Sequence, residues 1–159
     1  MNRERRITAI PLPGLSALAV VVLCAAPVPL AAQGLQYRSA GPALIARDAP
    51  SPQATQLFRL RPGTPVEVVV TQDGWARVRE PGGSLNWVEQ SALSARRTVI
   101  VTAERATIRR EPQVAAAPAF EAVRNVVLEL VGAPTQGWAR VRHAEGLEGY
   151  VRATEVWGL

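Results

Sequence analysis

The chain has 159 residues, of which 48% are hydrophobic and 19% charged, with a formal net charge of +5. That is room for one ordinary domain or for two very small ones. All 18 basic residues are arginine, set against 13 acidic residues of interspersed sign, so no basic tract points to nucleic acid. One cysteine, Cys24, and one histidine, His143, exclude a disulfide framework and a Cys/His metal cluster.

The amino-terminal segment, 1–34, predicts a signal peptide. Arg3, Arg5 and Arg6 precede an uncharged apolar run from Leu15 to Ala26, and a proline-containing stretch of small residues follows, ending Ala32-Gln33-Gly34. The run is too short for a membrane span, which needs roughly 20 apolar residues. Cleavage is expected after Gly34 or, second, after Ala32. Cys24 follows Val22-Leu23 rather than a small residue, so lipidation is not expected. The mature chain then carries a net charge of +3, no cysteine and no stable membrane insertion.

Beyond the leader the chain repeats itself. Gly74-Trp75-Ala76-Arg77-Val78-Arg79 returns, at an offset of 63, as Gly137-Trp138-Ala139-Arg140-Val141-Arg142, and Trp87-Val88 returns as Tyr150-Val151. Upstream the offset is 62: Arg47 maps to Arg109, Phe58 to Phe120, and Val66-Glu67-Val68 to Leu128-Glu129-Leu130. The change of one residue is expected in the turn, Thr71 to Gly74 in one copy and Ala133 to Gly137 in the other. The copies run from Tyr37 to Ser94 and from Val99 to Leu159, which divides the mature chain into domains at 35–95 and 96–159. With no long linker between them, two such small units are expected to pack with limited freedom.

Within each copy the elements read as short strands. Pro65 to Thr71 and Val126 to Val131 are β-branched or leucine-rich and follow turn positions. Trp75 to Arg79 alternates, with Ala76 and Val78 on the core face and Trp75, Arg77 and Arg79 on the other; Trp138, Arg140 and Arg142 repeat the pattern. A turn through Pro81-Gly82-Gly83 leads to Leu85 to Val88. Ala115 to Ala122 contains Pro118 and is expected to be a loop rather than a helix. The fold class is all-β: two tandem small barrels.

These segments, in this order, resemble the bacterial Src-homology-3 (SH3) domain family. Ala106 to Pro112 is similar to the family's opening strand and proline, Gly137-Trp138-Ala139-Arg140-Val141 to its Gly-Trp-x-x-Val, and Gly149-Tyr150-Val151 to its closing Gly-Trp-Val. Leu44 to Pro50, Gly74 to Val78 and Asn86-Trp87-Val88 do the same in the first copy, so the resemblance covers nearly all of the mature chain. Asn86 and Glu111 depart from glycines of the pattern, and Ala92 from an aromatic.

The inventory for catalysis is empty. His143 stands alone in an expected turn, no spacing pairs it with a serine and an acid, and neither a nucleotide loop nor a carboxylate cluster is present, so no catalytic residue, metal or cofactor is expected. The candidate ligand-binding residues are Trp75, Arg77, Arg79, Trp87, Trp138, Arg140, Arg142 and Tyr150. Trp75 and Trp138 resemble the tryptophan that lines the peptide groove of the wider SH3 barrel. Aromatics beside arginines can take a sugar ring or peptide together with a carboxylate. The alternative is that these tryptophans cap the barrel end; Trp157 is expected to dock the chain terminus. The resemblance implies an exported binding module for cell-wall glycan or peptide, with docking to an envelope protein as the second reading. A proline-rich peptide is disfavoured because Leu44 to Pro50 lacks the tyrosines that hold one.

Overall fold

The structure, a computed structural model, describes residues 36–159; the expected signal peptide and Cys24 lie outside the described residues. The first repeat contains β1 (Gln36–Ala40), β2 (Ile45–Arg47), β3 (Gln56–Arg59), β4 (Pro65–Gln72), β5 (Trp75–Arg79), β6 (Leu85–Glu89) and β7 (Leu93–Ser94). The second contains β8 (Thr98–Val101), β9 (Arg105–Arg109), β10 (Pro118–Val123), β11 (Val127–Leu130), β12 (Trp138–Arg142), β13 (Glu148–Arg152) and β14 (Val156–Trp157). A three-residue 3₁₀ turn precedes the last strand of each, Gln90–Ala92 and Ala153–Glu155. The sheets run β3-β2-β6-β5-β4-β1-β7 and β10-β9-β13-β12-β11-β8-β14. This is one strand order twice: two tandem all-β, SH3-like domains, with the repeated hexapeptide forming the same hairpin arm in each.

Alternation drives that arm into place. Ala76 and Val78 are buried in one core, and Ala139 and Val141 in the other, while Arg77 and Arg140 are exposed. Leu44, Val66 and Val88 complete the first core; Ile108, Leu128 and Val151 complete the second. Each arm is entered through a two-residue turn with both φ values positive, Asp73 at 49° with Gly74 at 82°, and Gln136 at 50° with Gly137 at 80°. That is the type I′ geometry matching the twist of a hairpin.

The two-residue tips are therefore equal in length, and the extra residue of the second copy lies just before its tip, between Leu130 and Thr135. In the first copy β4 runs to the tip with a bulge between Val68 and Val70. In the second, the strand stops at Leu130 and the chain detours through Gly132 (φ 85°), Ala133 and Pro134. Proline has no N–H to continue the ladder.

A second departure concerns Ala115 to Ala122. Its latter half is strand β10, not loop, paired with β9 along Pro118 to Val123 with a register shift between Pro118 and Phe120. β10 is at the sheet edge, and Pro118 is its first residue, the position where a missing N–H costs no ladder bond.

The repeats are joined by specific contacts. The Ser39 hydroxyl donates to the Arg96 carbonyl at 2.7 Å, and the Thr98 hydroxyl to the Gly63 carbonyl at 2.7 Å. Trp157 meets Tyr37 edge to face at 5.1 Å between centroids, and the Arg97 guanidinium lies 5.6 Å from the same Tyr37 ring. Trp157 thus docks the chain terminus, and it does so against the first repeat. Gly158, at φ 111°, is required there, because a Cβ would come within 2.9 Å of Pro65 Cβ and of the Thr98 carbonyl oxygen. Among the described residues no helix is long and apolar enough to cross a membrane.

Candidate binding face

Residues directly opposite one another on neighbouring strands share a sheet face, with Cβ atoms about 4.5–5.5 Å apart. The register therefore lays out the outward face of each repeat. In the first, one row reads Glu67, Arg79, Leu85; the next Val70, Arg77, Trp87, Arg47; the third Gln72, Trp75, Glu89. In the second repeat the corresponding rows are Glu129, Arg142, Glu148; then Arg140, Tyr150, Arg109; then Thr135, Trp138, Arg152. All eight residues singled out from the sequence thus fall on these two faces, four on each.

Burial sorts them. Trp75 is only 9% exposed, although it lies opposite the core pair as alternation requires. Its cover is Arg47, whose guanidinium lies 6.0 Å from the Trp75 ring centroid and donates from Nη1 to the Ala54 carbonyl at 2.8 Å. That bond ties Arg47 to the segment between β2 and β3. Trp75 does not present the open surface expected of it: the ring is buried, with the Arg47 cation beside it. Trp138 is half-buried, with Arg152 at 5.6 Å from its ring. Trp87 and Tyr150 are half-buried beside exposed Arg77 and Arg140.

Charge separates the repeats further. Arg79 pairs with Glu67 at 2.8 Å. In the second repeat Glu148 accepts from Arg142 Nε at 2.6 Å and from Arg140 Nη2 at 2.8 Å, while Glu129 lies 3.5 Å from Arg142 and 2.6 Å from Arg96. Hydrogen bonds from Arg142 and then Arg140 hold the Glu148 carboxyl below its usual range, and one from Arg96 does the same for Glu129. Leu85 stands where the second repeat has Glu148. Arg77 is accordingly without a carboxylate partner among the described residues. Glu80, beside this face, is pushed up by burial, an effect partly offset by the 2.7 Å hydrogen bond from Asn86.

Asn86 itself marks a repacked contact. Its counterpart Gly149 backs onto β9 so closely that a Cβ would lie 2.6 Å from the Arg109 carbonyl oxygen and 2.6 Å from Ile108 Cγ2. The first repeat accommodates a side chain at this place while carrying Ala46 where the second has Ile108. The sequence offset matches Arg47 to Arg109 without giving either a role, and nothing in it singles out Glu67, Glu129 or Glu148. The signal for these carboxylates is the cross-strand register, which sets them against arginines of the neighbouring strand.

Of two clefts, one lies away from these faces and the other reaches Arg142 at the border of the second. One of about 250 Å³ is lined by Gln36, Arg38, Val68 and Thr71, and another of about 150 Å³ opens between the repeats at Gly63, Thr98, Arg96 and Glu129. Among the described residues no three His, Cys, Asp or Glu side chains are grouped to hold a metal ion.

The family model described as the bacterial SH3 domain matches twice, at residues 40–95 and 102–158. No curated protein matches the chain. Two solved structures from Trichomonas vaginalis are similar: NlpC2, at 18% identity over 79% of this chain and 48% of that one, and NlpC1, at 17% identity over 90% and 51%. Both have a TM-score of 0.36, too low to carry weight for fold or function. The chain spans about half the length of these structures.

Proposed function

Because the chain belongs to the bacterial SH3 domain family, we propose that it is an exported, non-catalytic binding module of the cell envelope that recognises cell-wall glycan or peptide. The observation that carries the reading is the pairing of half-buried Trp87 with exposed Arg77 directly across from it. An indole can pack against a sugar ring or peptide plane while a guanidinium with no internal carboxylate binds an acidic group. The apolar leader within 1–34 supports the exported location. Purified cell-wall sacculi should retain the mature chain, and Trp87→Ala should reduce that retention severalfold without loss of fold. A mature chain that sacculi do not retain would overturn the reading.

A second reading, docking to an envelope protein, is favoured by the apolar edge of the first sheet. Leu57 and Phe58 on edge strand β3 are 47% and 41% exposed. An exposed edge of this kind can receive a strand or an apolar patch of a partner. Phe58→Glu should then abolish capture of a protein from an envelope lysate and leave sacculus retention intact.

A further inference from the structure

Resting on the cell-wall reading above, we infer that ligand binding is confined to the first repeat and that Glu148 closes the equivalent face of the second. The equivalence of the two faces follows from register: Arg77 lies opposite Trp87, as Arg140 lies opposite Tyr150. What differs is the residue one row along, at the start of the following strand. In the second repeat this is Glu148, opposite Arg142, and its two oxygens take one guanidinium each, Arg142 at 2.6 Å and Arg140 at 2.8 Å. Arg140 and Arg142 are thus both satisfied by the chain's own carboxylate.

In the first repeat the same place holds Leu85, opposite Arg79 and 40% exposed. Arg79 turns to Glu67, which is buried, and Arg77 keeps its donors for a ligand. An incoming carboxylate at the second face must displace Glu148 from two charge-assisted hydrogen bonds; at the first face it displaces only water. The aromatic neighbours reinforce the difference. Trp87 offers a larger apolar face than Tyr150, and Leu85 adds apolar surface on one side of Arg77 where Val70, 45% exposed, adds it on the other. The ligand that fits has a carboxylate next to a sugar ring or apolar side chain, as a carboxylated glycan-peptide fragment does.

Leu85 and Glu148 therefore form a natural exchange pair. Leu85→Glu transplants the closing carboxylate to the first repeat, and Glu148→Leu removes it from the second; both positions are surface-exposed or partly so, and the fold of each variant is checked by amide NMR dispersion. The probe is soluble glycan-peptide released enzymatically from purified sacculi, titrated while the Trp87 indole and the arginine Nε signals are followed. The native chain should bind at one site, reported by Trp87 and Arg77. Leu85→Glu and Arg77→Gln should each weaken it by about tenfold, the worth of a charge-assisted hydrogen bond. Glu148→Leu should add a second, weaker site reported by Arg140. Equal responses from the two repeats of the native chain, or native affinity in Leu85→Glu, would overturn the inference. If sacculi retain the chain but neither face responds, the inference alone falls; if sacculi do not retain it, the cell-wall reading falls with it.

Discussion

Ala76, Val78 and Val88 in the first repeat and Ala139, Val141 and Val151 in the second occupy matching, buried positions, whereas the outward positions between them have diverged. Leu85 stands where the second repeat has Glu148, and Glu89 where it has Arg152. Buried positions are tied to the volume of a small core and must change together, if at all, as Ala46 and Asn86 have changed against Ile108 and Gly149. Outward positions answer to no such constraint, so a duplicated barrel can keep its frame while one face is neutralised and the other left open.

The largest difference between the repeats should come from their equivalent tryptophans. Trp75→Ala removes a buried ring and strands Arg47, and should cost about 3–5 kcal/mol, whereas Trp138→Ala, at a half-buried ring, should cost about half of that. Urea unfolding of the two variants decides it, and equal losses would mean that the cover over Trp75 contributes little. Next in size is the glycine contact: Gly149→Ala should cost about 3 kcal/mol by overpacking, against less than about 1 kcal/mol for Asn86→Ala. A double-mutant cycle with Ile108→Ala sharpens this, since the smaller residue should recover part of the Gly149→Ala loss. No coupling in the cycle would leave the carbonyl of Arg109 as the sole obstacle.

A smaller effect is expected at the junction. Trp157→Ala deletes the edge-to-face contact with Tyr37 and should cost about 1–2 kcal/mol, and it should split one calorimetric transition into two as the repeats uncouple. A single unchanged transition would show that the hydroxyl bonds of Ser39 and Thr98 suffice to couple them. Smallest is the response to acid. Glu148 and Glu129 have carboxyl pKa values lowered in the folded chain, so their contribution is present above the unfolded value of 4.5 and is lost as pH falls through the depressed folded values. Glu80 is raised, so its contribution has the opposite sign, favouring the fold below 4.5 and fading as pH rises through its folded value. Acidification should therefore loosen the second repeat before the first, read as amide hydrogen exchange in each repeat.

Much of the frame was legible in the residues. The hexapeptide and its offsets named the arms β5 and β12, and strict alternation placed Ala76 and Val78 inward because side chains on a strand can point only two ways. Strand β10 escapes such reading because Pro118 looks like a breaker until its position at the start of an edge strand is known. The candidate face was half legible. Alternation put Trp75 and Arg77 together, but whether a ring lies open depends on what folds over it, here Arg47 from β2, on a different strand well upstream. The closing of Arg140 and Arg142 by Glu148 likewise depends on which residues face each other across two strands, and no single strand announces it.

The contact between Tyr37 and Trp157 also makes the molecule its own optical gauge. At 5.1 Å the phenol is close enough to pass excitation to the indole, so Tyr37 emission should be quenched while the two repeats are docked. Parting the repeats should restore phenolic emission from Tyr37, and a Tyr150→Phe background isolates that signal so that the junction can be followed without a label.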